Sequence, residues 1–282
     1  MRKKHLTIPD PEIREHLQNL LTFINVDDVE NFKYQQYEDS FREWLETGGH
    51  EIKGLENFKY SAFSNGTSSA FGEFISRHPN RTIRVSNSEF LMAGILSKAY
   101  NRKLVYIEDH PITENDLIIM SLPFCGNGGV HKNYNEILID ADRLGVPVLI
   151  DGAYFGISKG LTYDFNHSCI TDFTVSLSKC FDVMNLRLGI RFTKEKIDDG
   201  ISAGIIAGDI FNRYGGKIAV GLMREFSAKF IPDKYQSEYL KICKLYELTP
   251  TNTVTLALGN QTLHKDFMRG EYARLCISEH LL

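Results

Sequence analysis

Long apolar runs are missing from this sequence. None approaches the roughly 18 consecutive apolar residues that a membrane-spanning helix needs, which argues against a membrane partner. The N-terminus, MRKKHLTIPDPEIREHL, is basic, but no apolar stretch follows it, so it does not read as a signal peptide. Cysteine is sparse: five in 282 residues, scattered at Cys125, Cys169, Cys180, Cys243 and Cys276, with no Cys-x-x-Cys pair. An odd, dispersed set argues against a disulfide framework or a zinc site and for reduced thiols in a cytoplasmic protein. Basic residues are not in excess either. With 32 Lys and Arg against 36 Asp and Glu, the net charge is −4, the wrong sign for non-specific nucleic-acid binding. Internal repeats and low-complexity segments are also lacking.

What remains is an ordinary globular composition, 43% hydrophobic and 24% charged, in a chain long enough for one large domain with a small appendage. Residues 10–50 read as helical, in PEIREHLQNLLTFI and then YEDSFREWLETGGH, which ends in glycines as helices do. From residue 60 short apolar runs alternate with helical stretches. TIRVS, KLVYI, DLIIMSL, VPVLID, DFTVSL and LGIRFT are strand candidates, several continuously apolar, as suits strands buried on both faces. SSAFGEFISRH, SEFLMAGILSKAY and YNEILIDADRLG are helix candidates between them. The alternation predicts an α/β protein with a mostly parallel central sheet flanked by helices. Beyond residue 194 a helical stretch with a break near Gly215-Gly216, a further helix (KYQSEYLKICKLYEL) and two short strand candidates (TVTLAL, YARLCIS) predict a small α+β subdomain. The expected division is 1–55 for a helical segment, 56–194 for the large domain and 195–282 for the small one.

In an open parallel sheet, ligands sit beyond the carboxyl ends of the strands. Asp151 and Tyr154 follow VPVLI, and Ser176, Ser178 and Lys179 end DFTVSL. Asn65 ends SAFSN and Gly66 and Thr67 open the helix after it, Asn127 lies beyond DLIIMSL, and Phe90 lies beyond TIRVS. Each has a plainer reading alone. Asp151 suits a turn cap, Gly66-Thr67 an ordinary helix start, Phe90 a core ring, Lys179 a lysine that snorkels to water, Arg187 an ion-paired surface residue. Together they meet the demands of pyridoxal 5′-phosphate. That cofactor needs an amine for a Schiff base, a carboxylate for the pyridine nitrogen, a hydroxyl or amide for the phenolic oxygen and a flat face over the ring. Its phosphate wants a helix N-terminus with small hydroxyl residues and an arginine.

The set Asp151-x-Ala-Tyr154, Ser176-x-Ser178-Lys179 and Arg187-x-Gly189 resembles the signature of the fold-type I enzymes dependent on that cofactor, the aspartate aminotransferase class, over about residues 60–193. The resemblance implies that Lys179 carries the cofactor, that Asp151 holds the pyridine nitrogen and that Tyr154 meets the phenolic oxygen. It gives the phosphate to Asn65, Gly66, Thr67, Ser176, Ser178 and Arg187, and stacks Phe90 on the ring. It further implies a homodimer with shared active sites, to which Tyr34 or Tyr37 would reach from the partner. An arginine near the C-terminus, Arg274, would grip a substrate carboxylate; as an edge-strand residue it would instead pair with Glu271 or Glu279. The family has Asn-Pro-x-Gly where this chain has Asn127-Gly-Gly, closer to Asp151. Either the following loop is shortened or another residue takes Asn127's role. The chain is also shorter than family members usually are, mainly in the C-terminal domain. The implied activity is amino transfer between small amino and oxo compounds. A lyase, a decarboxylase or another amine-modifying enzyme of the same fold, or a non-catalytic binding protein, are the alternatives.

Overall fold

The computed structural model describes residues 7–281. Its centre is a seven-stranded sheet of β1 (Tyr60–Asn65), β2 (Thr82–Val85), β3 (Leu104–Tyr106), β4 (Asp116–Ser121), β5 (Val148–Gly152), β6 (Ile170–Ser176) and β7 (Leu188–Thr193). The order across the sheet is β1-β7-β6-β5-β4-β2-β3, and only β7 runs against the rest. The predicted α/β class is therefore the observed one.

Period-two alternation divides the strand side chains between two layers. Leu117, Ile119 and Leu149 point to the face covered by the helices Thr67–Arg77 and Met92–Ala99, beside Phe71, Phe74 and Ala93. Ile118, Met120, Val148 and Ile150 point to the other face, among Phe41, Trp44, Ile137 and Leu138 of the helices Tyr34–Glu46 and Tyr134–Leu144. This second core takes in residues from Ile8 to Leu281. Trp44 fastens it, its indole N–H donating to the carbonyl of Phe226 at 3.0 Å. At the N-terminal ends of the strands, Asp142 closes the turn into β6 by accepting from Ser168 Oγ (2.8 Å) and Cys169 N (2.6 Å) and pairing with His167 Nδ1 (2.5 Å).

The N-terminal helix Pro11–Phe23 starts where expected because Asp10 accepts from the amides of Glu12 (3.0 Å) and Ile13 (3.1 Å), with proline in the first turn. The expected break at Gly215-Gly216 is not there. The helices are Ala203–Gly208 and Arg213–Glu225, parted by Asp209 in the left-handed region and by Asn212, which caps the amide of Gly215 at 2.9 Å. The two glycines belong to the second helix's first turn because a Cβ on Gly216 would lie 2.8 Å from the Phe32 ring. They permit close packing rather than a bend. The tail forms a four-stranded antiparallel sheet of Thr249–Pro250, Leu256–Leu258, Met268–Arg269 and Tyr272–Cys276. TVTLAL contributes only its last three residues to it. Among the described residues, no helix is long and apolar enough to cross a membrane.

Candidate active site

Because six of the seven strands run the same way, their carboxyl ends lie along one edge, and β7 returns there through its first residue. Asp151, the penultimate residue of β5, is almost completely buried, with one carboxylate oxygen accepting the amide of Ala153 at 3.0 Å and Thr67 close by. Burial raises its pKa to about 6, opposed by Lys179, the Ala153 amide and Thr67. Lys179, just past the neighbouring strand β6, is half-buried, and desolvation pushes its ammonium down, while Asp151 opposes the shift. Its Nζ lies 5.0 Å from the centre of the Tyr154 ring. Burial thus disfavours the charge on both groups, and each offsets part of that cost for the other.

Also near Asp151 is the start of the helix Thr67–Arg77. No side chain caps it, so its first amides and the positive end of its dipole face outward. Gly66 leads into it at φ 69° and ψ −176°, a conformation essentially confined to glycine. The space a Cβ would fill there belongs to Arg187, whose Nη2 would be 2.4 Å away and which donates to the carbonyl of Asn65 at 2.8 Å. Gly189 allows the same approach from β7, since a Cβ on it would lie 3.0 Å from the Cα of Gly66. Ser176 and Ser178 complete this side, linked hydroxyl to hydroxyl at 2.7 Å, with the Ser178 amide donating to Ser176 Oγ at 3.1 Å. The arrangement places a buried acid, an amine whose neutral form burial favours, and a small-residue cradle with an arginine side by side.

No family model and no curated protein matches this sequence. Solved structures do match its shape. An aspartate aminotransferase variant from Thermus thermophilus aligns over 98% of this chain and 90% of its own, with 13% identity and a TM-score of 0.69. A C-S lyase bound to pyridoxal phosphate, from Staphylococcus hominis, aligns over 97% and 83%, with 10% identity and a TM-score of 0.68. L-threonine-O-3-phosphate decarboxylase from Porphyromonas gingivalis aligns over 97% and 93%, with 12% identity and a TM-score of 0.65. This chain has the fold type I architecture.

Within that fold type I frame the expected residues do not all converge. Asn127 closes its own turn, accepting the amide of Gly129 at 2.8 Å and donating to the carbonyl of Val130 at 2.9 Å. The side chain that meets Tyr154 is Cys125, two residues earlier, with Sγ 3.3 Å from the phenolic oxygen. Arg274 arrives at the same place from the strand Tyr272–Cys276: it donates to the carbonyl of Cys125 and lies 3.4 Å from its sulfur, close to Tyr154. Glu271, which the edge-strand reading would pair with it, bonds Lys132 at 2.9 Å instead. Phe90 stands in the turn after β2 with the residue 41% exposed, too open for a core position. Tyr34 and Tyr37 are both interior. Tyr34 bonds Ser61 Oγ at 2.6 Å and Tyr37 donates to the carbonyl of Gly189 at 2.7 Å, so neither is placed to reach a partner.

Two buried residues of this edge were not among those expected, Cys125 and Glu89. Both lie in turns just past parallel strands, which is the signal that marked Asp151 and Lys179. What concealed them was residue type, since a lone thiol and a glutamate beside a phenylalanine suggest no cofactor contact.

Proposed function

We propose that this chain holds pyridoxal 5′-phosphate covalently on Lys179 and acts as an aminotransferase, moving an amino group between an amino acid or related amine and an oxo acid. The observation that carries the reading is the half-buried Lys179, its ammonium disfavoured by desolvation, next to the buried Asp151 at the ends of adjacent strands, beside a helix start whose glycine leaves room for Arg187. The residues fit the group. Asp151 would take the pyridine nitrogen and Tyr154 the phenolic oxygen. The amides at Gly66 and Thr67, together with Asn65, Ser176, Ser178 and Arg187, would take the phosphate, and Phe90 would cover the ring. When bound, the cofactor supplies an electron sink for negative charge developing at the substrate's α-carbon. The chain supplies the rest. Lys179 Nζ, whose charge burial disfavours, acts as the base that takes the α-proton from the substrate and holds it on the amine until it is passed on. Asp151, kept apart from water, holds a positive charge opposite it and so favours the developing carbanion. Arg274 orients the substrate by its carboxylate through a forked pair of donors.

The similarity of the fold to a C-S lyase and a decarboxylase supports a second reading, in which the same lysine and acid serve an elimination or decarboxylation. In either case we take the working unit to be a cytoplasmic homodimer, with residues 56–194 binding the cofactor and 195–282 closing over the substrate. Purified protein mixed with pyridoxal phosphate should show a visible band, and borohydride trapping with peptide mapping should place the label on Lys179. Lys179→Ala should abolish both. A protein that takes no label sinks the proposal. Adding single amino acids to the loaded protein then separates the readings: conversion to the pyridoxamine form with release of an oxo acid means transamination, and release of CO2 or a thiol means the second.

A further inference from the structure

Glu89 precedes Phe90 in the turn after β2 and has no role in the proposed amino transfer. Its side chain is buried, only 9% of the residue being exposed. Three groups donate to its carboxylate: the Ser121 amide at 2.7 Å, the Ser121 hydroxyl at 2.7 and 2.8 Å, and the Phe90 amide at 3.1 Å. Ser121 is the register partner of Asp151 across β4 and β5. Glu89 and Asp151 are therefore two buried carboxyl groups at neighbouring positions of one sheet edge.

Other polar and charged groups pack around Glu89. The loop after β4 brings the Cys125 amide, which donates to Ser121 Oγ at 2.7 Å. The C-terminal sheet brings Arg269, whose guanidinium donates to the carbonyls of Ser88 (2.9 Å) and Glu89 (2.7 Å). Glu108 holds the far side of the turn at Ser86 Oγ and at the Asn87 amide. Charges on two buried neighbouring carboxylates oppose each other, so such a pair releases its protons in separate steps. Burial, with Asp151 adding to it, pushes Glu89 up to about 7.

We propose that Glu89 is a second acid of this site, which stores a proton beside Asp151 and releases it to solvent when a cation is held against Asp151. The proposal rests on the proposed function, because the cation would be the protonated ring nitrogen of the cofactor. Breaking the Glu89 O–H bond passes its proton to buffer and leaves a carboxylate on the three donors already in place. Ser121 is the connecting positioning residue, since its hydroxyl serves Glu89 and accepts from Cys125 at once.

The test is calorimetric titration of the cofactor-free protein with pyridoxal phosphate near pH 7, in two buffers of different ionisation enthalpy. The wild type should release about half a proton more than Glu89→Gln, as a group near half-titration would. Between pH 6 and pH 8 its affinity should rise by up to roughly tenfold relative to that variant. If Glu89→Gln does not fold, Ser121→Ala serves instead: with a donor removed, the pH at which affinity turns over should move up. Borohydride labelling of Lys179 runs in parallel. A labelled wild type whose proton release and pH dependence match those of Glu89→Gln, or are unmoved in Ser121→Ala, overturns this proposal alone. A wild type that takes no label on Lys179 overturns it together with the proposed function.

Discussion

Gly66→Ala separates backbone strain from ligand contact at the proposed phosphate cradle. The glycine sits at φ 69° and ψ −176°, where a residue with a Cβ costs about 1–3 kcal/mol. The added methyl would lie 2.4 Å from Arg187 Nη2 and 3.0 Å from its Cζ. Because that neighbour is the end of a flexible side chain, it is Arg187 that moves, losing its bond to Asn65 for about 0.5–1.5 kcal/mol more. The cofactor-free protein should therefore be less stable by about 1.5–4.5 kcal/mol, measured as a lower urea midpoint. A displaced arginine also forfeits a charge-assisted contact to phosphate worth about 1.5–3 kcal/mol, so the dissociation constant for pyridoxal phosphate should rise roughly 10- to 100-fold. Both affinities follow from the visible absorption on titration. Arg187→Ala should weaken binding by a similar factor, and the double variant by little more than either, because both remove one contact. Wild-type affinity in Gly66→Ala, or fully additive losses in the double variant, would refute the reasoning.

Arg84 and Asp116 are both buried and bonded at 2.8 Å, so Arg84→Ala strands a carboxylate in the core and should lower the unfolding free energy by about 3–5 kcal/mol in urea titrations; an unchanged midpoint would contradict this. Asp142 has a pKa lowered to about 2, with burial working against the shift and His167, the Cys169 amide and Ser168 producing it. A depressed folded-state value means stability present above the ordinary carboxylate range and lost as pH falls through it toward 2. Wild type and Asp142→Asn should therefore differ most at pH 6 and converge near pH 2, and parallel curves would exclude the role.

The strands were legible because burial on both faces writes itself into local composition: DLIIMSL and VPVLID have no polar face to show. Lys179 and Asp151 were legible as candidates because parallel strands send all their carboxyl ends to one edge, so position after a strand serves as a coordinate; Arg187, which precedes β7, was legible only through the resemblance of Arg187-x-Gly189 to a known signature. The same rule failed inside turns. Cys125 and Asn127 occupy one loop, and which of them faces Tyr154 depends on the Ser121 hydroxyl that holds the Cys125 amide and on Asn127 bonding its own turn. Gly215-Gly216 suggested a break because glycine is a poor helix former, yet contact with Phe32, distant in sequence, made small residues necessary there.

Sequence by itself determined the α/β class, the succession of elements and the residue types gathered at the strand ends, because these follow from short-range periodicity and chain direction. Tertiary structure alone decided which side chains of that edge face one another. It turned Tyr34 and Tyr37 into the interior, brought Arg274 from the last strand onto Cys125, and set Glu89 beside Asp151. Those outcomes depend on contacts between residues far apart in the chain, and on how burial changes the cost of a charge, which no local pattern records.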